Sequence, residues 1–307
     1  VSVIIPAYNV APYIGEAVAS VLAQTYPSFE IILVNDGSSD TPALEAALQP
    51  YLHRMNYLSQ PNRGTSAARN AAIRASGGSL LAFLDADDVW DPQFLASQVS
   101  LLQQGEYDLV YANARHFGEG ARPGMTSMDA APSRGVPDLK ALLDLSCHVL
   151  TSTTVVRKQV VIDAGLFDET IRRGQDFDLW VRLALRGARM GYQRTVLAGY
   201  RLRGDSLSGD ELQRYDRAVN LYRIVREKLD LPPPLRSLVD SQLRALTAAR
   251  QLELGKRELA AGNYPRAAEL FKSAWKEVRS LRLLAARLGL AVAPSLLRKF
   301  IAGRKSP

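Results

Sequence analysis

Three carboxylates crowd the end of a single apolar run. Leu80-Leu81-Ala82-Phe83-Leu84 carries no polar side chain and leads directly into Asp85-Ala86-Asp87-Asp88. A short, continuous apolar run suits an inner strand of a parallel sheet covered on both faces. In open α/β sheets, ligands bind just beyond the carboxyl ends of the strands. Asp85 and Asp87 are two residues apart, so on an extended backbone both side chains point the same way. Two carboxylates aimed at one point repel unless a cation lies between them. Mg²⁺ or Mn²⁺, with substrate phosphates completing the shell, is the natural occupant. The plainer reading is a solvated acidic loop ahead of the helix that begins near Asp91-Pro92. The choice between them depends on what the other strand ends bring to the same place.

Those strand ends follow from the hydrophobic pattern. Residues 1–6 are apolar and β-branched and stop at Pro6, which predicts a strand followed by the loop Ala7-Tyr8-Asn9. Ile14, Ala17, Val18, Val21 and Leu22 recur at helical spacing. A second strand over 29–34 ends in Asn35-Asp36-Gly37-Ser38-Ser39-Asp40, which is turn chemistry, and Thr41-Pro42 opens a helix. A third strand is expected near 56–59. Asn62-Arg63-Gly64 then leads into a helix over 67–75 that Gly77-Gly78 closes. After the acidic strand come a helix over 92–104 and a strand over 108–112. This alternation predicts a mostly parallel, doubly wound α/β sheet. Right-handed crossovers bring Ala7-Tyr8-Asn9, Asp36, Asn62-Arg63-Gly64 and Asp85-Asp87 to one edge. Residues 113–150 are irregular and read as a lid or acceptor-facing loop. Strands at 151–156 and 190–197 flank helices at 158–164 and from Gly174 to Arg186. Beyond Gly209 only helices are expected, over 211–229, 235–261, 265–278 and 281–292. The division is therefore 1–208, with halves 1–112 and 113–208, followed by 209–307.

Composition narrows the function classes. The 307 residues hold a single cysteine, Cys147, and three scattered histidines, so neither an internal disulfide nor a zinc cluster is expected. No apolar run reaches the ~18 residues of a membrane span, and no signal-peptide pattern is visible. A cytoplasmic setting is expected. Residues 1–200 hold 16 Lys and Arg against 20 Asp and Glu, whereas residues 201–307 hold 22 against 11. That asymmetry suggests two units with different partners. No nucleic-acid reader motif accompanies the basic half, so nucleic acid is not an expected partner.

Helix starts at the shared edge offer free N–H groups to a phosphate, and Arg63 and Arg69 could add charge. Asp36 could accept from a ribose or a base edge. Neither glycine-rich phosphate signature is present. Ser2-Val3-Ile4-Ile5-Pro6-Ala7-Tyr8-Asn9, Val34-Asn35-Asp36-Gly37-Ser38-Ser39-Asp40, Arg63-Gly64-Thr65-Ser66-Ala67-Ala68-Arg69-Asn70 and Asp85-Ala86-Asp87-Asp88 stand in order. This set resembles the family 2 glycosyltransferases, over roughly residues 1–205. The resemblance implies the GT-A fold and inverting transfer of a sugar from a nucleotide donor, usually UDP-linked, to an acceptor hydroxyl. It implies donor contacts from Pro6, Ala7, Tyr8, Asn9, Asp36, Arg63, Gly64 and Arg69. It makes Asp85, Ala86 and Asp87 the D-x-D motif, with Asp87 the direct ligand of Mn²⁺ or Mg²⁺. The family's general base is the Asp of a Glu-Asp pair opening a late helix; here the pair is Gln175-Asp176. Asp176 is assigned as the base, a helix-capping role being the simpler alternative. Asp178 and Trp180 are placed on the acceptor side, although a helix Trp is often core. Many relatives carry His where Arg203 stands, and Arg203 can meet a diphosphate but cannot ligate a metal.

Leu254 to Trp275 resembles one tetratricopeptide unit, while a solenoid needs several. Residues 276–307 carry eight basic residues and one acid. Leu281, Leu284, Ala285 and Leu288 there form an apolar stripe beside arginines, as in segments that lie on anionic membrane faces. A peripheral contact with the inner membrane face and a glycan or lipid-linked acceptor are the corresponding expectations. The rival from another class is a non-catalytic nucleotide-sugar-binding scaffold whose helices engage a partner.

Overall fold

The computed structural model describes residues 1–203 and 211–279, with a few isolated positions beyond. The chain separates into two compact units, Val1–Gly204 and Asp205–Pro307. The first opens with strand β1 (Ser2–Ala7), helix α1 (Ala11–Leu22), β2 (Glu30–Asp36), α2 (Thr41–Leu48), β3 (Asn56–Gln60), α3 (Thr65–Ala75) and β4 (Leu80–Phe83). It continues through β5 (Val89–Trp90), α4 (Phe94–Gln104), β6 (Leu109–Gly118), α5 (Ser127–Ala130) and α6 (Leu139–Leu143). Last come β7 (Thr154–Arg157), α7 (Lys158–Asp163), α8 (Gln175–Leu185) and β8 (Met190–Leu202).

All eight strands form one sheet in the order β3-β2-β1-β4-β7-β6-β8-β5. The first four run parallel, in register Ala7 with Asn35 and Ile4 with both Ile32 and Phe83. Val3, Ile4, Ile5, Ile32, Leu33, Val34, Leu81, Ala82 and Phe83 are fully buried, as expected of strands with helices on both faces. Ile14, Ala17, Val18 and Val21 of α1 lie in the same core. The second half departs from simple alternation. β6 does not join β4 directly, because β7 lies between them and pairs antiparallel with both. β6 and β8 are also longer than the apolar pattern suggests. Residues 113–118, expected in an open excursion, continue β6 and pair with Val196 to Leu202 of β8. β5 pairs antiparallel with the far end of β8, Val89 with Gly199. That hook was not foreseen, since two residues carry no readable period.

The second unit comprises α9 (Glu211–Lys228), α10 (Pro233–Ala261) and α11 (Tyr264–Glu277). Gly262, at φ +84°, ends α10, and the Asn263 side chain caps α11 by accepting from the Arg266 N–H. Gly255 of α10 lies against Phe271 of α11, which leaves no room there for a Cβ. The expected helix over 281–292 and the basic apolar stripe lie outside the described residues. Among the described residues no helix is long and apolar enough to cross a membrane.

Candidate active site at the carboxyl edge of the sheet

The register puts Tyr8 and Asp85 one residue beyond β1 and the β4 extension, where the Leu84 N–H still donates to the Ile4 carbonyl, and Asp36 at the last position of β2. Hydrogen bonds then stitch the loops together. Asn9, in the left-handed region at φ 54°, accepts from the Ser39 N–H and hydroxyl at 2.9 and 3.0 Å. The Ala11 N–H donates to Asp40. Asn9 therefore shapes the loop through its side chain. Gly37 follows Asp36 at φ +66°, and a Cβ there would lie 2.6 Å from the Asn62 nitrogen. Only glycine permits that approach.

Asp36 is buried and accepts from Gln60 Nε2 (2.7 Å), the Arg63 N–H (3.0 Å) and the Gly64 N–H (2.8 Å). Its carboxylate thus holds the loop that opens α3. Gln60 faces it because the two residues are register partners across β2 and β3. The Tyr8 ring is 48% exposed at the same edge, and Ala7 and Ala86 are buried, so their contribution there is backbone. Arg63 extends outward to Glu169 at 2.8 Å. Asn70 fastens that segment to α3 through the backbone of Phe167.

The acidic stretch turns instead of extending: the Asp88 N–H donates to the Asp85 carbonyl at 3.0 Å. The alternation expected of Asp85 and Asp87 therefore does not apply, although their charges still interact. Burial first, and then Asp85, pushes the Asp87 carboxyl above its usual range, with Arg203 pulling the other way. Asp88 is buried and is raised further, by burial and then Asp85. Its Oδ1 accepts from the Arg201 N–H. Each carboxylate of the D-x-D pair meets an arginine: Arg69 Nη2 lies 2.5 Å from Asp85, and Arg203 Nη1 lies 3.3 Å from Asp87. Arg69 is buried with its guanidinium over the Phe167 ring, so it supports Asp85 from inside and does not face an open donor site.

Residues from the second half complete the edge. Thr151 donates to Asp176 Oδ2 at 2.9 Å, and its neighbour Ser152 accepts from the Asp85 N–H at 3.2 Å, which links the expected base to the D-x-D turn. The cap position of α8 is Gly174, in the left-handed region at φ 79°. Asp176 sits inside the first helical turn, half-buried, with Oδ1 accepting from the Phe177 N–H. Tyr200, near the end of β8, feels all four carboxylates. Burial, then Asp88, Asp85, Asp87 and Asp176, drives its hydroxyl far above the ordinary tyrosine range.

Two expectations fail on geometry. Asp178 is 2% exposed and paired with Arg182 at 2.8 Å, and Arg182 also donates to the carbonyls of Ala164 and Leu166. Trp180 is 1% exposed and packs against Phe83 and Phe167. The stretch of α8 from Asp178 to Val181 is buried all round, so neither side chain is open to an acceptor.

Sequence reasoning missed Arg201, which organises this corner. Its N–H binds Asp88, its Nε binds the Asp87 carbonyl, its Nη2 reaches Glu16 at 2.6 Å, and its guanidinium lies over Tyr13 and Phe117. The legible signal was Arg201-Leu202-Arg203 on a strand, which points both arginines one way. Both meet the Tyr13 ring.

Among the described residues no group of three or more His, Cys, Asp or Glu side chains is placed to hold a metal by itself. The turn nevertheless fits a cation that shares its ligands with a bound phosphate. Asp87 is a 26% exposed carboxylate under repulsion from Asp85, and a divalent ion would relieve that repulsion.

Solved structures share this architecture. S. aureus TarS 1-349 in complex with UDP-GlcNAc superposes at TM-score 0.63 with 18% identity, over 98% of this chain and 91% of that one. The mannosyltransferase PcManGT from Pyrobaculum calidifontis, in complex with GDP-Man and Mn²⁺, also gives 0.63, with 20% identity over 98% and 83%. The first unit thus has the GT-A fold, a mixed sheet with an acidic turn at its carboxyl edge. The family profile Glycosyl transferase family 2 matches residues 2–164, and the chain belongs to that family. Succinoglycan biosynthesis protein ExoU of Rhizobium meliloti is 33% identical over 247 residues, which span 73% of this chain and 67% of ExoU. An uncharacterized glycosyltransferase of Rickettsia bellii is 31% identical over 206 residues, 64% of this chain. The chain spans only 29% and 33% of the R. bellii and Rickettsia felis relatives.

Proposed function

We propose that this chain transfers a sugar, with inversion, from a nucleoside diphosphate donor to an acceptor hydroxyl in glycan or polysaccharide assembly. The observation that carries this reading is the link from the acidic turn to Asp176, in which Ser152 accepts from the Asp85 N–H and its neighbour Thr151 donates to Asp176, beside the loop that Asp36 holds. Tyr8 offers an exposed face to a base, and the Arg63-Gly64 segment opens α3 toward a diphosphate. UDP is the first donor class to test, because the TarS structure carries UDP-GlcNAc; the GDP-Man of PcManGT makes GDP the second.

In this reading Asp176 takes the acceptor hydroxyl proton as that oxygen attacks the anomeric carbon. The bond to the diphosphate breaks on the opposite face. Thr151 and the Phe177 N–H fix the carboxylate, so it needs no reorientation during the step. Gln175 beside it carries no charge that would compete for the proton. Asp87, with Asp85 at its side, would hold Mn²⁺ or Mg²⁺, which neutralises charge on the departing diphosphate. The partners are thus a nucleotide-sugar and a glycan or lipid-linked acceptor. The basic segment beyond residue 279 supports a peripheral contact with an anionic membrane face through its composition.

Isothermal titration with UDP, GDP and their sugars, with and without Mn²⁺, tests the donor site. One nucleoside diphosphate should bind in a metal-dependent manner, and Asp87→Ala should remove that dependence. Asp176→Asn should bind donor normally and lose ~10²–10⁴-fold in turnover. Metal-dependent binding with no turnover on any acceptor would favour the scaffold reading. No nucleotide binding by the folded protein would overturn the donor site itself.

A further inference from the structure

We propose that Arg203 is the resident counter-ion of Asp87, so that the divalent cation enters together with the nucleoside diphosphate and not ahead of it. This rests on the donor-site reading above and concerns the order in which that site fills.

In the protein as it stands, two arginines already neutralise the D-x-D carboxylates, and they differ in kind. Arg69 is 3% exposed in its side chain, lies 2.5 Å from Asp85 and is backed by the Phe167 ring. Nothing arriving from solvent can draw it away without opening the core. Arg203 is 19% exposed, lies 3.3 Å from Asp87 Oδ2, and rests on the open stack above Tyr13. It is the longer and more accessible pair. Arg201 shares the Tyr13 ring but is fixed by the Asp87 carbonyl, Asp88 and Glu16. The position open to a cation is therefore Asp87, and the group that must leave it is Arg203.

A bare cation gains one carboxylate there and must displace a guanidinium to get it. A cation arriving with a diphosphate meets a different balance. The phosphate oxygens supply ligands to the metal, and they also give Arg203 an anion in place of Asp87, which suits its planar set of donors. Arginine cannot itself ligate a metal, so at this position it competes with the metal for Asp87 and offers a contact to the diphosphate.

The test measures Mn²⁺ and nucleotide separately on the full chain. Mn²⁺ affinity is followed by electron paramagnetic resonance or titration calorimetry, alone and with UDP or GDP present. The variants are Arg203→Met, which keeps the stem on Tyr13 without the charge, and Arg203→Lys, which keeps the charge. Removing a part-exposed ion pair is worth ~0.2–1 kcal/mol, or up to ~5-fold in an equilibrium. Arg203→Met should bind bare Mn²⁺ more tightly than the native protein, by ~1.4–5-fold, while binding the metal-free nucleoside diphosphate more weakly. Arg203→Lys, which keeps the charge but not the planar donor set, should stay close to native toward bare Mn²⁺ and lose part of the affinity for the nucleoside diphosphate. Bare Mn²⁺ affinity that is unchanged or weaker in Arg203→Met, with circular dichroism showing a folded protein, overturns the proposal. If native protein still binds nucleotide with Mn²⁺ and Asp87→Ala does not, only the counter-ion role has failed. If neither binds, the donor-site reading has failed with it.

Discussion

Replacing Asp36 with Asn tests whether this carboxylate is an architectural acceptor before any nucleotide arrives. Its two oxygens receive three donors: Gln60 Nε2 and the Arg63 N–H on Oδ1, and the Gly64 N–H on Oδ2. An amide can satisfy one side only. With its oxygen in the Oδ1 place, its NH₂ faces the Gly64 N–H, and two donors meet in a buried site. The reverse orientation satisfies the Gly64 N–H but sets the NH₂ against both Gln60 Nε2 and the Arg63 N–H. A hydrogen bond to a charged group contributes ~1.5–3 kcal/mol, and a buried donor left unsatisfied costs ~1–3 kcal/mol. The best orientation therefore loses ~2–4 kcal/mol. For a unit of about 200 residues that lowers the midpoint of thermal unfolding by ~5–15 °C. Fluorescence in a Trp275→Phe background reports on the first unit alone, through Trp90 and Trp180. Hydrogen exchange at the Gly64 amide should accelerate in parallel. A shift below ~1 °C in nucleotide-free protein would refute the reasoning, since it would leave Asp36 a role toward the nucleoside only.

Three further outcomes follow from the same contacts. Asp178→Ala should destabilise the first unit by ~3 kcal/mol, because it leaves Arg182 charged and unpaired among backbone carbonyls; nucleotide affinity should not change, and a stable variant with impaired acceptor use would restore Asp178 to the acceptor side. Glu30 is raised by burial, but hydrogen bonds from the Ser2 hydroxyl and the Gly77 and Gly78 N–H groups outweigh this and hold it below its ordinary value. Its contribution is thus present above the unfolded-state value and is lost as pH falls through the lower folded one. Glu30→Gln should melt below native protein at pH 7, with a gap that closes below about pH 4; a gap constant from pH 7 to 3 contradicts the assignment. Gly255→Ala would ordinarily stabilise a helix by ~1 kcal/mol, yet a Cβ there lies 2.3 Å from the Phe271 ring. We expect a net loss of ~1–2 kcal/mol in the second unit, read by Trp275 fluorescence, and a gain in stability would show that the two helices can separate at no cost.

The sequence by itself determined the strands, the helices and the edge at which they meet. Val3-Ile4-Ile5 and Leu81-Ala82-Phe83 are apolar on both faces of the chain, so they had to be inner strands, and crossover handedness then brought Tyr8, Asp36 and Asp85 to one side. These are local signals, set by neighbours within a few residues. Tertiary structure alone decided three other matters. It inserted β7 antiparallel between β4 and β6 and hooked β5 onto the end of β8. It bent Asp85–Asp88 into a turn. It also chose what answers each charge at the edge: the Arg69 side chain for Asp85, the Arg203 side chain for Asp87 and the Arg201 backbone for Asp88. Asp178 and Trp180 show the limit most clearly. Residue type and proximity to Asp176 suited an acceptor site, but packing buries α8 on all sides over Asp178 to Val181. Propensity and period are carried by the residues themselves, whereas the partner of a buried charge can lie 113 residues away, as for Asp88 and Arg201, and only the packed sheet brings the two together.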